Sequence, residues 1–284
     1  MKTTTAILAL LLARLVHAQS DPVSRSWNQP VEPFRIAGNL YYVGASDITS
    51  YLITTPKGHI VLDGGFVETA PMIRANIERL GFRVRDVRIL IGSHPHYDHA
   101  GGLAELKHAT GAKFIASALD APLYARGGTD DPQFFDRYPF PPVIADRTIA
   151  DGEQLSLGGV KLTARITPGH TPGCTTWTMN VGDQTVAFLC SPTAPGYQLV
   201  DNPRYPNAIE DYRRQFAILR SLDPDIFLAS HGNFFKLTEK RKRHSAKVNA
   251  FVDRKGYREF IAEAEASFEE KVATQRNASP HRLR

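Results

Sequence analysis

The stretch His94-Pro95-His96-Tyr97-Asp98-His99 decides how this chain is read. It sets three imidazoles and one carboxylate within six residues. Ahead of it runs Val87-Arg88-Ile89-Leu90-Ile91, a short apolar run of the length and branching of a buried strand. Behind it, Ala100-Gly101-Gly102-Leu103-Ala104-Glu105-Leu106 reads as the start of a helix. The cluster therefore lies on a turn at the carboxyl end of a strand, where α/β proteins collect their ligands.

Imidazole and carboxylate suit zinc, at roughly 2.0–2.2 Å each. Side chains alternate along extended backbone, so His94 and His96 can face one ion. Asp98 and His99, on a turn, can serve a second. The chain holds ten histidines, and three fall here, which speaks against a chance run on a polar loop. Two ions need further ligands. His170 lies in Thr167-Pro168-Gly169-His170-Thr171-Pro172-Gly173, after the strand-like Val160 to Ile166. His231 lies in Ser230-His231-Gly232, after the strand-like Ile226-Phe227-Leu228-Ala229. Each again follows a strand and precedes a turn. Either alone is an ordinary histidine; beside the first cluster both become candidate ligands.

The N-terminus has the pattern of an export signal. Lys2 supplies the charge, Ala6 to Ala13 the apolar stretch, and Val16-His17-Ala18 a small-residue cleavage site, with Arg14 as the one irregular feature. Cleavage after Ala18 predicts a periplasmic or secreted protein. Its 266 residues (284 − 18) suit one α/β domain, residues 19–284. The apolar run is too short to span a bilayer. Formal charge falls from +5 to +3 with the loss of Lys2 and Arg14. The remaining excess is spread along the chain, so no nucleic-acid or membrane partner is expected, and a monomer is. The basic run Lys236 to Arg243 reads first as a solvated helix face, with a patch for an anionic partner as the alternative. Cys174 and Cys190 flank two strands joined at Gly182-Asp183. An even count in an exported protein suggests a disulfide, and hairpin ends are close in space. Cys190 as a metal ligand is the competing reading.

In chain order, residues 19–33 are polar and proline-bearing and should wrap the surface. Strands are expected at Phe34–Ile36, Leu40–Gly44, Ser50–Thr54 and His59–Asp63, and a helix over Thr69–Leu80. After the histidine cluster come a helix near Gly102–Thr110, a strand at Lys113–Ala116 and a helix at Ala118–Ala125. The loop from Gly127 to Pro142 is long and aromatic. Phe134, Phe135, Tyr138 and Phe140 would either line a groove or anchor the loop. Strands return at Leu155–Leu157, Val160–Ile166, Thr175–Asn180, Thr185–Leu189 and Ile226–Leu228. Helices are expected at Asn207–Leu222, Lys236–Phe251 and Gly256–Gln275. Meander plus helices, twice over, predicts two sheets packed face to face with helices outside.

With these residues in place, the His94-x-His96-x-Asp98-His99 cluster, together with His170 and His231, resembles the metallo-β-lactamase superfamily. The resemblance spans nearly all of the mature chain. It implies a four-layer αβ/βα sandwich of two mixed β-sheets flanked by helices, with the metal site at one edge. Three further blocks resemble the third subclass of class B β-lactamases: Val61-Leu62-Asp63-Gly64-Gly65, His170-Thr171-Pro172-Gly173, and Ala194-Pro195-Gly196-Tyr197-Gln198-Leu199 with Asn202-Pro203-Arg204-Tyr205-Pro206 and Glu210-Asp211-Tyr212-Arg213-Arg214.

The resemblance implies two zinc ions per chain. His94, His96 and His170 would hold the first, and Asp98, His99 and His231 the second. Many hydrolases of the superfamily place a bridging aspartate near Cys190-Ser191; here Ser191 stands instead. That position does not bind metal in the lactamase subclass but can contact substrate. Thr193 stands where the subclass often has serine. Ser191 and Thr193 would bind the substrate carboxylate, Tyr197 would donate to the developing oxyanion, and Asp98 would orient the attacking hydroxide. Asp63 supports a ligand from behind or simply forms a turn. The implied activity is opening of a β-lactam ring. The alternative is a thioester, lactone or phosphoester hydrolase on the same site.

Overall fold

The protein is described by a computed structural model covering residues 22–278. The expected leader lies outside the described residues. Sheet one has seven strands in sequential order: β1 (Phe34–Ala37), β2 (Leu40–Tyr42), β3 (Tyr51–Thr55), β4 (Gly58–Leu62), β5 (Val87–Ile91), β6 (Lys113–Ser117) and β7 (Arg147–Ile149). The first four form an antiparallel meander, and β4 to β7 run parallel. Sheet two runs in the order β12 (Ile226–Ala229), β11 (Gln184–Leu189), β10 (Thr175–Val181), β9 (Val160–Ile166), β8 (Gln154–Leu157), with only β11 and β12 parallel. Two mixed sheets flanked by helices match the sandwich expected from the sequence.

Period-two alternation assigns each face of sheet one. Ile60, Leu62, Ile91 and Ile115 point into the core shared with sheet two. Val61, Leu90 and Phe114 point outward and are covered by α2 (Thr69–Arg79) and α4 (Leu103–Thr110) through Ile73, Ile77, Leu103 and Leu106. Both faces of β4 and β5 are therefore apolar, as parallel strands require. On the far side of sheet two, α6 (Ala208–Leu222) packs on α8 (Arg254–Ala278), with Tyr212 stacked on Phe268 at 4.8 Å. Buried polar bonds stitch the sheets together. Tyr51 Oη donates to Ala229 O at 2.7 Å, and Trp177 Nε1 donates to Gly92 O at 3.1 Å. None of these helices, as described, is long and apolar enough to cross a membrane.

Two elements at the ends of the domain depart from the sequence reading, in addition to β7, which it did not foresee. The polar stretch before β1 does wrap the surface, but it includes a short helix, α1 (Pro22–Trp27), held by Trp27 O, which accepts from Asp47 N and Ile48 N. The helix expected over Lys236–Phe251 is cut to α7 (Leu237–Arg243). His244 is extended, at φ −72° and ψ 134°, and Ser245 and Val248 then exchange backbone bonds in a tight turn. The break lets Phe251 turn inward, fully buried against Phe34 and Phe235. Burying such a ring is worth about 1.5–3 kcal/mol, more than a few added helical residues on the surface.

Candidate metal centre

Strand register brings the ligands together. Leu62 pairs with Ile91, and Ile91 with Ile115, so β4, β5 and β6 end level. Leu189 pairs with Ala229, so Ser191 and His231 leave sheet two side by side. β9 runs in the same direction as β11, because both are antiparallel to β10, and its end delivers His170 to the same edge. His94 and His96 lie on the extended turn after β5. Asp98 and His99 lie in α3 (Tyr97–Ala100), a single helical turn, with one helical step rather than a strand's alternation between them. Gly169, at φ +134°, shapes the His170 turn. A Cβ there would strike the Tyr212 ring at 2.7 Å.

Two trios result. The ligand atoms of His94, His96 and His170 lie within 4.8 Å of one another, as do those of Asp98, His99 and His231. In the first, His96 Nδ1 is 3.0 Å from His170 Nε2. In the second, His99 Nε2 is 3.3 Å from His231 Nε2, and Asp98 Oδ2 is 3.4 Å and 3.6 Å from those two nitrogens. Ligands at about 2.0–2.1 Å around a tetrahedral ion stand roughly 3.3 Å apart. The second trio is already spaced as three corners of that figure.

Three of the outer nitrogens are tied down. His94 Nδ1 lies 3.0 Å from Ser93 Oγ, His170 Nδ1 2.8 Å from Thr193 O, and His231 Nδ1 2.9 Å from Asp47 Oδ2. Such partners fix the tautomer and aim the remaining lone pair. His94 Nε2 is buried with no hydrogen-bond partner at all. An orphaned buried nitrogen is costly, and a cation is the partner this donor set fits.

Protonation agrees. Burial, reinforced by neighbouring imidazoles, holds His94 and His170 well below the usual histidine range, so both are neutral ligands at pH 7. Burial pushes the Asp98 carboxyl up, but His99 and the nearby histidines outweigh it and keep it ionised. Burial likewise opposes a charge on His99, and Asp98 overcomes it and raises the imidazole. A cation bound there would compete with that proton. Asp63 sits behind the cluster at φ +62° and accepts from Ser93 N at 2.7 Å; burial pushes its carboxyl up to about 6.

Cys174 and Cys190 form a disulfide. Its Sγ atoms are therefore not available as ligands, although Cys190 Sγ lies 3.5 Å from His94 Nδ1.

A cleft of about 480 Å³ opens over both trios, within the size range of small-molecule sites. His96, Asp98, His170 and His231 floor it, and Ser191 and Thr193, with their hydroxyls 3.1 Å apart, form one side. Phe134, Phe135 and Tyr138 of the aromatic loop form another, so the loop both lines the groove and anchors to the core through Phe140. Tyr197 is buried, 1% exposed, with its hydroxyl 3.3 Å from both ring nitrogens of His170. Its loop is clamped by α8. Gln275 Nε2 donates to Tyr197 O at 2.7 Å, Gln275 Oε1 accepts from Leu199 N at 2.7 Å, and Lys271 Nζ donates to Ala194 O. Sequence reasoning missed Asp47 and Gln275, whose roles depend on distant partners. It also missed Ser24, Trp27 and Arg137 on the cleft wall, which no local pattern marks.

A family profile described as "Metallo-beta-lactamase superfamily" matches residues 43–231. The chain belongs to this superfamily. Among solved structures, this metallo-β-lactamase-superfamily chain is similar to a metallo-β-lactamase of Cronobacter sakazakii with a HARLDQ motif, at 46% identity and a TM-score of 0.86, over 89% of this chain and 99% of that one. The FEZ-1 metallo-β-lactamase of Legionella gormanii follows at 40% identity and TM-score 0.85, over 88% and 98%. BJP-1 of Bradyrhizobium japonicum, a subclass B3 metallo-β-lactamase, matches at 35% and 0.84, over 89% and 97%. The resemblance to the third subclass is met by these neighbours. HARLDQ shares the first His and the Asp with the HPHYDH at 94–99, but not His96 or His99. Curated relatives include a hydroxyacylglutathione hydrolase of Rhodospirillum rubrum, 32% identical over 37% of this chain and 32% of that protein. An N-acyl homoserine lactonase of Azorhizobium caulinodans is 30% identical over 43% and 56%. The chain thus spans about a third to a half of these curated relatives' lengths.

Proposed function

We propose that this protein is an exported zinc β-lactamase with two zinc ions, the first on His94, His96 and His170, the second on Asp98, His99 and His231. The observation that carries the reading is extent. The similarity to solved β-lactamases covers 97–99% of the FEZ-1, BJP-1 and Cronobacter chains, whereas the hydroxyacylglutathione hydrolase is matched over 32% of its length. Ser191, an uncharged residue beside the trios, supports the same choice over hydrolases that bridge their metals with an aspartate.

When bound, zinc supplies Lewis acidity and an acidified water with a pKa near roughly 7. The chain's own residues supply the rest. Ionised Asp98 faces the cleft and accepts a hydrogen bond that orients the attacking group. Ser191 and Thr193 donate to the carboxylate of the antibiotic. Tyr197 Oη lies within 3.3 Å of His170 Nε2, beside the first ion position, and is the donor proposed for the developing oxyanion. Phe134, Phe135 and Tyr138 cover apolar parts of the substrate and exclude water. The disulfide fits an oxidising compartment outside the cytoplasm, and the substrate is a small molecule met by a monomer.

The test is hydrolysis of the chromogenic cephalosporin nitrocefin with and without EDTA, beside a thioester, a lactone and a phosphodiester. Nitrocefin turnover lost to chelator and restored by zinc is expected. Turnover of one of the other esters without nitrocefin would overturn the β-lactam assignment in favour of that class.

A further inference from the structure

We infer that Asp131 is a positioning residue for the first metal: its carboxylate sets the tautomer of His96 and fastens the aromatic loop to that ligand. The inference rests on the proposed function only in taking an ion to occupy the first trio. His96 points Nδ1 at His170, so Nδ1 must offer its lone pair and Nε2 must carry the proton. Three of the other imidazoles have their outer nitrogens partnered by Ser93, Thr193 and Asp47. His96 Nε2 is buried and makes no aligned hydrogen bond, and Asp131 Oδ2 faces it at 3.4 Å. Asp131 is itself only 3% exposed.

The other carboxylate oxygen is occupied. Asp131 Oδ1 accepts from Gln133 N and from Phe134 N, both at 2.7 Å. Asp131 and Phe135 also exchange backbone bonds at 3.1 Å and 2.9 Å. This closed turn presents the Phe134 ring to His96 at 4.9 Å. One side chain thus accepts from two donors in the loop and faces a third on the ligand. Only a carboxylate can do so. An asparagine must turn its oxygen to the two backbone donors, and its NH₂ then faces Nε2. That donor favours the tautomer with hydrogen on Nδ1, which removes the lone pair from the ion.

The test is zinc titration of the full chain against a chromophoric chelator, for wild type, Asp131→Asn and Asn202→Ala. Asn202 Nδ2 donates to Pro132 O at 3.1 Å, so its loss loosens the loop without touching the carboxylate. Asp131→Asn should weaken the first zinc by about 10–100-fold, as losing a metal ligand's outer partner does, and leave the second within about twofold. Asn202→Ala should leave both within about twofold. Wild-type affinity in Asp131→Asn, or an equal loss in Asn202→Ala, overturns the inference. Imidazole ¹⁵N spectra of the wild type need no variant: the proton on His96 should be on Nε2, and finding it on Nδ1 overturns the inference. A wild type that takes up no zinc overturns the metal assignment as well, a result distinct from intact binding in Asp131→Asn.

Discussion

His99 Nε2 and His231 Nε2 face each other at 3.3 Å across 132 residues of sequence, one from the helical turn after β5 and the other from the end of β12. Each trio draws on both sheets, and each is completed by one histidine from sheet two. His231→Ala should therefore strip mainly the second zinc and His170→Ala mainly the first, each leaving about one of two ions, since one of three protein donors is lost. Asp98→Ala should reduce turnover more than either, because it removes a proposed ligand and the group that orients the attacking hydroxide together. Metal analysis with steady-state kinetics checks this; two retained zincs and normal kcat in His231→Ala would refute the assignment.

Ser191 lines the cleft without belonging to either trio. Ser191→Ala should raise KM for nitrocefin by about tenfold, the size of one hydrogen bond to a charged group, with zinc content and kcat kept. Loss of a zinc from this variant would show that Ser191 supports the metals instead.

The Cys174–Cys190 bridge closes a loop with a sequence separation of 16 residues. Replacing both cysteines by serine should lower the unfolding free energy by about 3 kcal/mol in urea titrations. Zinc content should not change, and the unreduced wild type should show no free thiols after unfolding. Zinc loss on Cys190→Ser with two titratable thiols in the wild type would point to a ligand instead.

Asp120 is buried behind the His170 turn, where its carboxylate accepts from Thr171 Oγ1 at 2.6 Å and Gly173 N at 2.8 Å. Burial outweighs those bonds and pushes its carboxyl from 3.8 up to about 6. Between these values the folded state holds a proton that the unfolded state has released, so stability falls as pH rises. Its contribution is complete below about pH 4 and lost once pH passes about 6. Relative to Asp120→Asn, the metal-free wild type should lose on the order of 3 kcal/mol between pH 4 and pH 7. Urea unfolding of both proteins at the two pH values checks this; a constant difference would mean that Asp120 keeps an ordinary pKa.

The six residues of the two trios could be picked out from the chain because each follows an alternating or apolar run that announces a strand, and four of them share one turn. The sandwich was readable for the same reason: Ile60-Val61-Leu62 and Phe114-Ile115 carry their two-sided burial in their composition. β7 was not, since Arg147 and Thr148 are exposed and a three-residue edge strand has no pattern of its own. Asp47, Asp131 and Gln275 were invisible for a different reason. An aspartate 184 residues from the histidine it orients has no local signature; only the fold makes them neighbours.

The clamp that α8 places on the Tyr197 loop has a consequence for the order of assembly. Gln275 lies 44 residues beyond His231, the last residue of the two trios (275 − 231). At about 5–20 residues per second, synthesis reaches it roughly 2–9 s later. For that interval the nascent chain holds both candidate trios but lacks the brace of the adjoining wall. The residues of both trios and the brace of the wall they face are thus made in sequence, and the substrate chamber is the last part of the molecule to be completed.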